Sequence, residues 1–109
     1  MTLAELNKLL KATGYPVAYS HFVAATDRPI PDPPYITYLV TYSSNFIADD
    51  KVHKQIQNVD IELYTNIKDL NSEAKLEAIL DANEIPYNTT ETYIESEKLF
   101  QKIYEVRLF

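Results

Sequence analysis

Apolar and polar positions alternate most strictly in Gln55 to Thr65, where Val59, Ile61 and Leu63 fall on one face and Asp60, Glu62 and Tyr64 on the other. This predicts a strand with one dry side. After Asn66, Ile67 and Lys68 the period lengthens. Asp69 can cap a helix whose Leu76, Ile79 and Leu80 form a stripe, with Leu70, Ala74 and Ala78 at its margins. The helix is suited to cover the dry side of the strand that precedes it.

The same reading extends to the rest of the chain. Thr2 to Lys11 predicts a first helix, with Thr2 and Glu5 at capping-box spacing and Leu3, Leu6, Leu9 and Leu10 on one stripe. Gly14, the only glycine, falls where a helix C-terminus needs a left-handed residue. Pro16 to Val23 predicts a first strand. Four of the nine residues from Thr26 to Pro34 are proline, which predicts a stiff, extended connection or a protruding arm that cannot donate ladder hydrogen bonds. Tyr35 to Tyr42 carries bulk on both faces and predicts a central strand. Ser43 to Lys54 reads as a turn between two short extended pieces. Ile85-Pro86 stops the second helix, and Thr89 to Glu95 with Phe100 to Leu108 makes a C-terminal antiparallel hairpin, Tyr104, Val106 and Leu108 sharing one side. The expected fold is a single α+β domain of order α-β-β-β-α-β-β, a largely antiparallel sheet with both helices packed on one face.

Composition narrows the function classes. With 109 residues, one core and one domain are expected. No apolar run reaches the roughly 18 residues that span a bilayer, and the N-terminus lacks a signal-peptide pattern, so an intracellular, non-membrane protein is expected. No cysteine is present, which removes disulfides and thiol nucleophiles. The net charge of −6 has no basic cluster set against it, which argues against specific nucleic-acid binding. Nine tyrosines suit contact surfaces.

Chemical motifs are missing. His21 and His53 stand in separate segments without ligand-spaced partners, and Asp49-Asp50 lacks the further oxygens and the glycine of a calcium loop, so no metal is expected. Asp60 with Glu62, and Glu91 with Glu95, are carboxylate pairs on strand faces with no cleft implied; solvated or interfacial faces are the simpler reading. No Walker A, GxGxxG, HExxH or Gly-x-Ser-x-Gly pattern occurs, and no catalytic residue, cofactor or small-molecule ligand is expected. Asn88-Thr89-Thr90 fits a glycosylation sequon, without consequence in an intracellular protein.

Four segments carry a family resemblance: Pro34-Tyr-Ile-Thr-Tyr-Leu39, Asn45-Phe-Ile-Ala-Asp-Asp-Lys-Val52, Val59-Asp-Ile-Glu-Leu-Tyr-Thr65 and Thr92-Tyr-Ile-Glu-Ser-Glu-Lys-Leu99. In these the chain resembles small proteins of prophages and long-tailed phages of Gram-positive bacteria, encoded with the head-to-tail joining genes. The element order is similar to that of tail terminator and tail-completion proteins. The resemblance implies a non-catalytic virion protein that joins tail to head, as a homo-oligomeric ring contacting other tail or connector proteins. It would be found in the host cytoplasm during assembly and afterwards in the virion. A head-side connector or stopper is the neighbouring alternative, and a small intracellular enzyme with no recognisable motif is the alternative of another class. The expected contact surface combines Arg28, Ile30 and Pro31 of the proline loop, Phe46, and a sheet face bearing Asp60, Glu62, Tyr64 and Tyr93, with Glu91 and Glu95 beside them. In a ring, the acidic surface would let genomic DNA pass without sticking.

Overall fold

A computed structural model describes residues 1–48 and 51–109, with the side chains of residues 44–55 left aside. Among the described residues two helices and five strands follow one another as α1 (Leu3–Lys11), β1 (Val17–Tyr19), β2 (Tyr35–Ala48), β3 (Lys51–Thr65), α2 (Leu70–Ala82), β4 (Asn88–Ile94) and β5 (Leu99–Leu108). The fold is α+β, in the order the sequence predicts. The strands form one sheet ordered β1-β2-β3-β5-β4, antiparallel throughout except for β1 against β2.

Local signals set the helix ends. The Thr2 hydroxyl accepts from the Glu5 amide at 3.1 Å while the Glu5 carboxylate accepts from the Thr2 amide at 3.2 Å, a closed capping box. Asp69 accepts from the Ser72 amide at 3.0 Å and starts α2 in the same way. Gly14 follows α1 at φ +86°, a conformation that costs other residues a Cβ clash.

Register decides which side chains share a face. Ile36 pairs with Leu63, Tyr38 with Ile61 and Val40 with Val59; across the sheet, Val59 pairs with Val106 and Ile61 with Tyr104. Leu6 and Leu10 of α1 and Leu76 and Leu80 of α2 are fully buried against this face, so both helices cover one side of the sheet. Each such leucine contributes about 2 kcal/mol of burial. Ile79 is only half-buried and Leu70 is exposed, so the α2 stripe is narrower than its sequence predicts.

Three elements differ from expectation. β1 is three residues long: the Ser20 amide donates to the Tyr38 carbonyl at 2.8 Å, Ser20 then turns the chain out of the strand at φ +67°, and the Val40 amide beyond is taken by the Tyr19 hydroxyl at 3.1 Å. Ser43 to Lys54 does contain two extended, antiparallel pieces, but they are the ends of longer strands. β2 runs on to Ala48 and β3 begins at Lys51, the two paired as a ribbon, and β3, flanked by β2 and β5, is the middle strand of the sheet. Asp49 and Asp50 lie outside the described residues, as do the side chains of Phe46 and His53.

Tyr93 and Glu91 require a correction of face. Glu91 pairs with Lys102 and Tyr93 with Phe100, and Lys102 pairs with Leu63, so both belong to the helix-covered side and not beside Tyr64. Alternation within Thr89 to Glu95 was legible; which set faced inward depends on the turn, Ile94 through Lys98, that fixes the hairpin register.

Candidate functional site

The face opposite the helices is the candidate site. Its side chains form rows across four strands: Tyr35, Tyr64, Gln101 and Thr92; then Thr37, Glu62, Ile103 and Thr90; then Leu39, Asp60, Glu105 and Asn88. A β-bulge between Val40 and Tyr42 shifts the next row, setting Tyr42 opposite Asn58 and Arg107. By simple alternation Tyr42 would share the face of Val40; the bulge turns it to the open face, where it stays 60% exposed.

Glu62 is the centre of this surface. One carboxylate oxygen accepts from the Thr37 hydroxyl at 2.9 Å and the other from the Gln101 amide at 2.9 Å, and the same Gln101 nitrogen donates to the Tyr64 hydroxyl at 2.8 Å. Burial pushes the Glu62 carboxyl up, opposed by the Thr37 bond, and the neighbouring Asp60 adds to the rise. Asp60 also lies above the usual range, through burial first and the facing Glu105 second. Burial likewise raises Tyr64, with Glu62 contributing. Asp60 and Glu105 are direct cross-strand partners of like charge, an arrangement that costs stability. None of the ion pairs among the described residues involves Asp60, Glu62 or Glu105.

Aromatic rings flank the carboxylates. Tyr35 stacks on Tyr64 at 5.0 Å between centroids, and Phe22, from the segment after β1, meets Tyr35 edge-on at 5.3 Å. At the other end a groove of about 590 Å³ runs over Asp60 and Glu105 between Tyr42, Tyr87 and Phe109. Carboxylates set between aromatic rings are suited to receive a guanidinium or ammonium group.

The proline loop is a separate projection. Ala25 and Arg28 exchange backbone hydrogen bonds of 2.8 and 3.1 Å around Thr26 and Asp27, which closes a tight turn and leaves Arg28 exposed at its base. Ile30 is 52% exposed and Pro31 half-buried. Asp60, Glu62 and Tyr64 are thus brought together on one face, whereas Arg28, Ile30 and Pro31 belong to the loop between β1 and β2. Among the described residues no hydrogen bond or ion pair joins the two.

An ionic cluster lies under α2, beyond what the sequence pattern led one to expect. Glu73, with its side chain 8% exposed, receives Lys68 at 2.7 Å on one oxygen and Lys102 at 2.8 Å on the other. Lys68 reaches Glu91 at 2.8 Å, Lys102 lies 3.6 Å from Glu77, and the Tyr104 hydroxyl donates to Glu77 at 2.8 Å. Burial pushes Glu73 up, but hydrogen bonds from Lys102 and Lys68 outweigh it and leave the carboxyl below its ordinary value. Tyr104 is raised by burial and by its bond to Glu77. A signal existed: Glu73 is in helical phase with Leu76 and Leu80, and Lys102 alternates with Tyr104 and Val106, so opposite charges occupy two dry faces that must meet.

Among the described residues no group of three His, Asp or Glu side chains is placed to hold a metal ion. His21 bonds through Nδ1 to the Ser20 hydroxyl at 3.0 Å. No helix among them is long and apolar enough to cross a membrane. No protein-family model matches the chain, and no curated protein matches it.

Proposed function

We propose that this protein is a phage virion structural subunit of the tail-completion or tail-terminator type, which joins tail to head as part of a ring and performs no catalysis. The observation that carries the reading is a sheet face without a covering helix, on which Glu62 is held by Thr37 and Gln101 between an aromatic row and an acidic row. A soluble fold that had no use for this face would gain by replacing the facing Asp60 and Glu105. A heterologous contact supplies the use: the exposed Arg28 and Ile30 of one subunit meet the carboxylates and rings of the next. The resemblance of Pro34 to Leu39, Val59 to Thr65 and Thr92 to Leu99 to head-to-tail joining proteins gives the assembly its setting. The acidic side chains remaining at the lumen would repel DNA phosphates.

Composition of purified particles tests this. Mass spectrometry of separated tails and filled heads should find the protein on tails. Retention on filled heads alone would favour a head-side connector or stopper, and absence from both particles would refute the virion assignment.

A further inference from the structure

The two edges of the sheet body are unequal. On the β2 side, β1 pairs with Ile36, Thr37 and Tyr38, the Tyr19 hydroxyl occupies the Val40 amide, and the bulge at Thr41 bends the strand where the ribbon begins. These are ordinary guards against edge-to-edge association. On the far side β4 has none of them. It is seven residues long, keeps an unbroken register with β5 from Asn88 to Ile94, and contains neither proline nor lysine. All of it but Ile94 is exposed, and among the described residues only β5 pairs with it. Its one charge, Glu91, is bound to Lys68 and so does little to repel an incoming strand.

We propose that β4 pairs antiparallel with β4 of a second copy of this chain, extending the two sheets into one across a two-fold axis. The sequence of the strand favours its own copy as the partner. Thr90 and Thr92 lie on the open face with Asn88, so the antiparallel registers centred on Thr90, Glu91 or Thr92, which keep helix face beside helix face, all set a threonine against a threonine. A single unguarded edge meets itself most simply, because an isologous contact needs only one patch. The contact involves a short strand and little apolar area, so the dimer is weak and concentration-dependent. It is independent of the functional reading above, and its test uses the isolated protein.

Sedimentation of the purified chain from micromolar to millimolar concentration should show the apparent mass rising from 12.6 kDa toward twice that value. Thr90→Lys with Thr92→Lys should hold the protein monomeric over the same range with an unchanged circular dichroism spectrum, whereas Leu70→Lys, on an exposed position of α2, should dimerise like the parent. Because the chain has no cysteine, added thiols report the register cleanly: oxidation should link Thr90→Cys if the axis lies at Thr90, Thr92→Cys if it lies at Thr92, or an equimolar mixture of the two if it lies at Glu91, in each case well beyond the level of Leu70→Cys. A parent that stays monomeric at millimolar concentration, lysine variants that dimerise as the parent does, or cross-linking that exceeds the Leu70→Cys level neither for Thr90→Cys, nor for Thr92→Cys, nor for their mixture would overturn the proposal.

Discussion

Replacing Lys102 by methionine keeps the length of the side chain and removes its charge from between β5 and α2. Glu73 then keeps Lys68, 2.7 Å away, but loses the partner bonded at 2.8 Å on its other oxygen, while its side chain stays 8% exposed. Breaking one partner of a buried pair costs 3–5 kcal/mol as a rule, and the retained Lys68 places this variant near the low end, about 3 kcal/mol at neutral pH. For a domain of this size that lowers Tm by about 12 °C. The double variant Glu73→Leu with Lys102→Met should recover to within about 1 kcal/mol of the parent, since no charge is left stranded. The sign of the pH dependence follows from Glu73. Its folded value is lowered, so its contribution is full above the ordinary glutamate range and is lost as pH falls through the folded value. Urea unfolding at about pH 7 and about pH 3 should therefore show a large gap between parent and Lys102→Met that shrinks in acid. A gap of the same size at both pH values, or a loss below about 0.5 kcal/mol at pH 7, would refute the reasoning.

Two further outcomes follow from single positions. Gly14→Ala should cost about 1 kcal/mol by thermal unfolding, entirely from the positive φ, because a Cβ there meets nothing within 4 Å. Asp60→Asn should stabilise the isolated chain at neutral pH by about 0.5 kcal/mol, since it removes the like-charge partner of Glu105; a raised folded value means the penalty grows as pH rises, so the gain should vanish when the melt is repeated below the ordinary aspartate range.

The fold was legible where one period ran without competition. Val59, Ile61 and Leu63 alternate strictly, Thr2 and Asp69 are capping residues in front of leucine stripes, and each of these elements forms where the pattern places it. The open face was legible in Asp60, Glu62 and Tyr64, because the dry side of β3 fixes its other side. What escaped depends on pairing. Tyr93 could be assigned to a face only through the hairpin register that sets it against Phe100, and Tyr42 only through the bulge after Val40. Gln101 and Thr37, which hold Glu62, are unremarkable residues until three strands bring them together. That β2 runs on to Ala48 and that β3 begins as early as Lys51 was hidden by Ser43, Ser44 and Asn45, turn-forming residues that interrupt the alternation of the preceding strand.

The claim that the open sheet face receives the Arg28 loop of a neighbouring subunit is tested most directly by charge exchange at exposed positions. Arg28→Glu and Glu105→Lys leave every hydrogen bond and ion pair described above in place, so each variant should fold like the parent. Incorporation into phage particles, measured by mass spectrometry of purified tails, should fall sharply for each variant alone and recover when both are combined in one chain. Normal incorporation of both single variants, or a double variant as defective as either single one, would contradict the account.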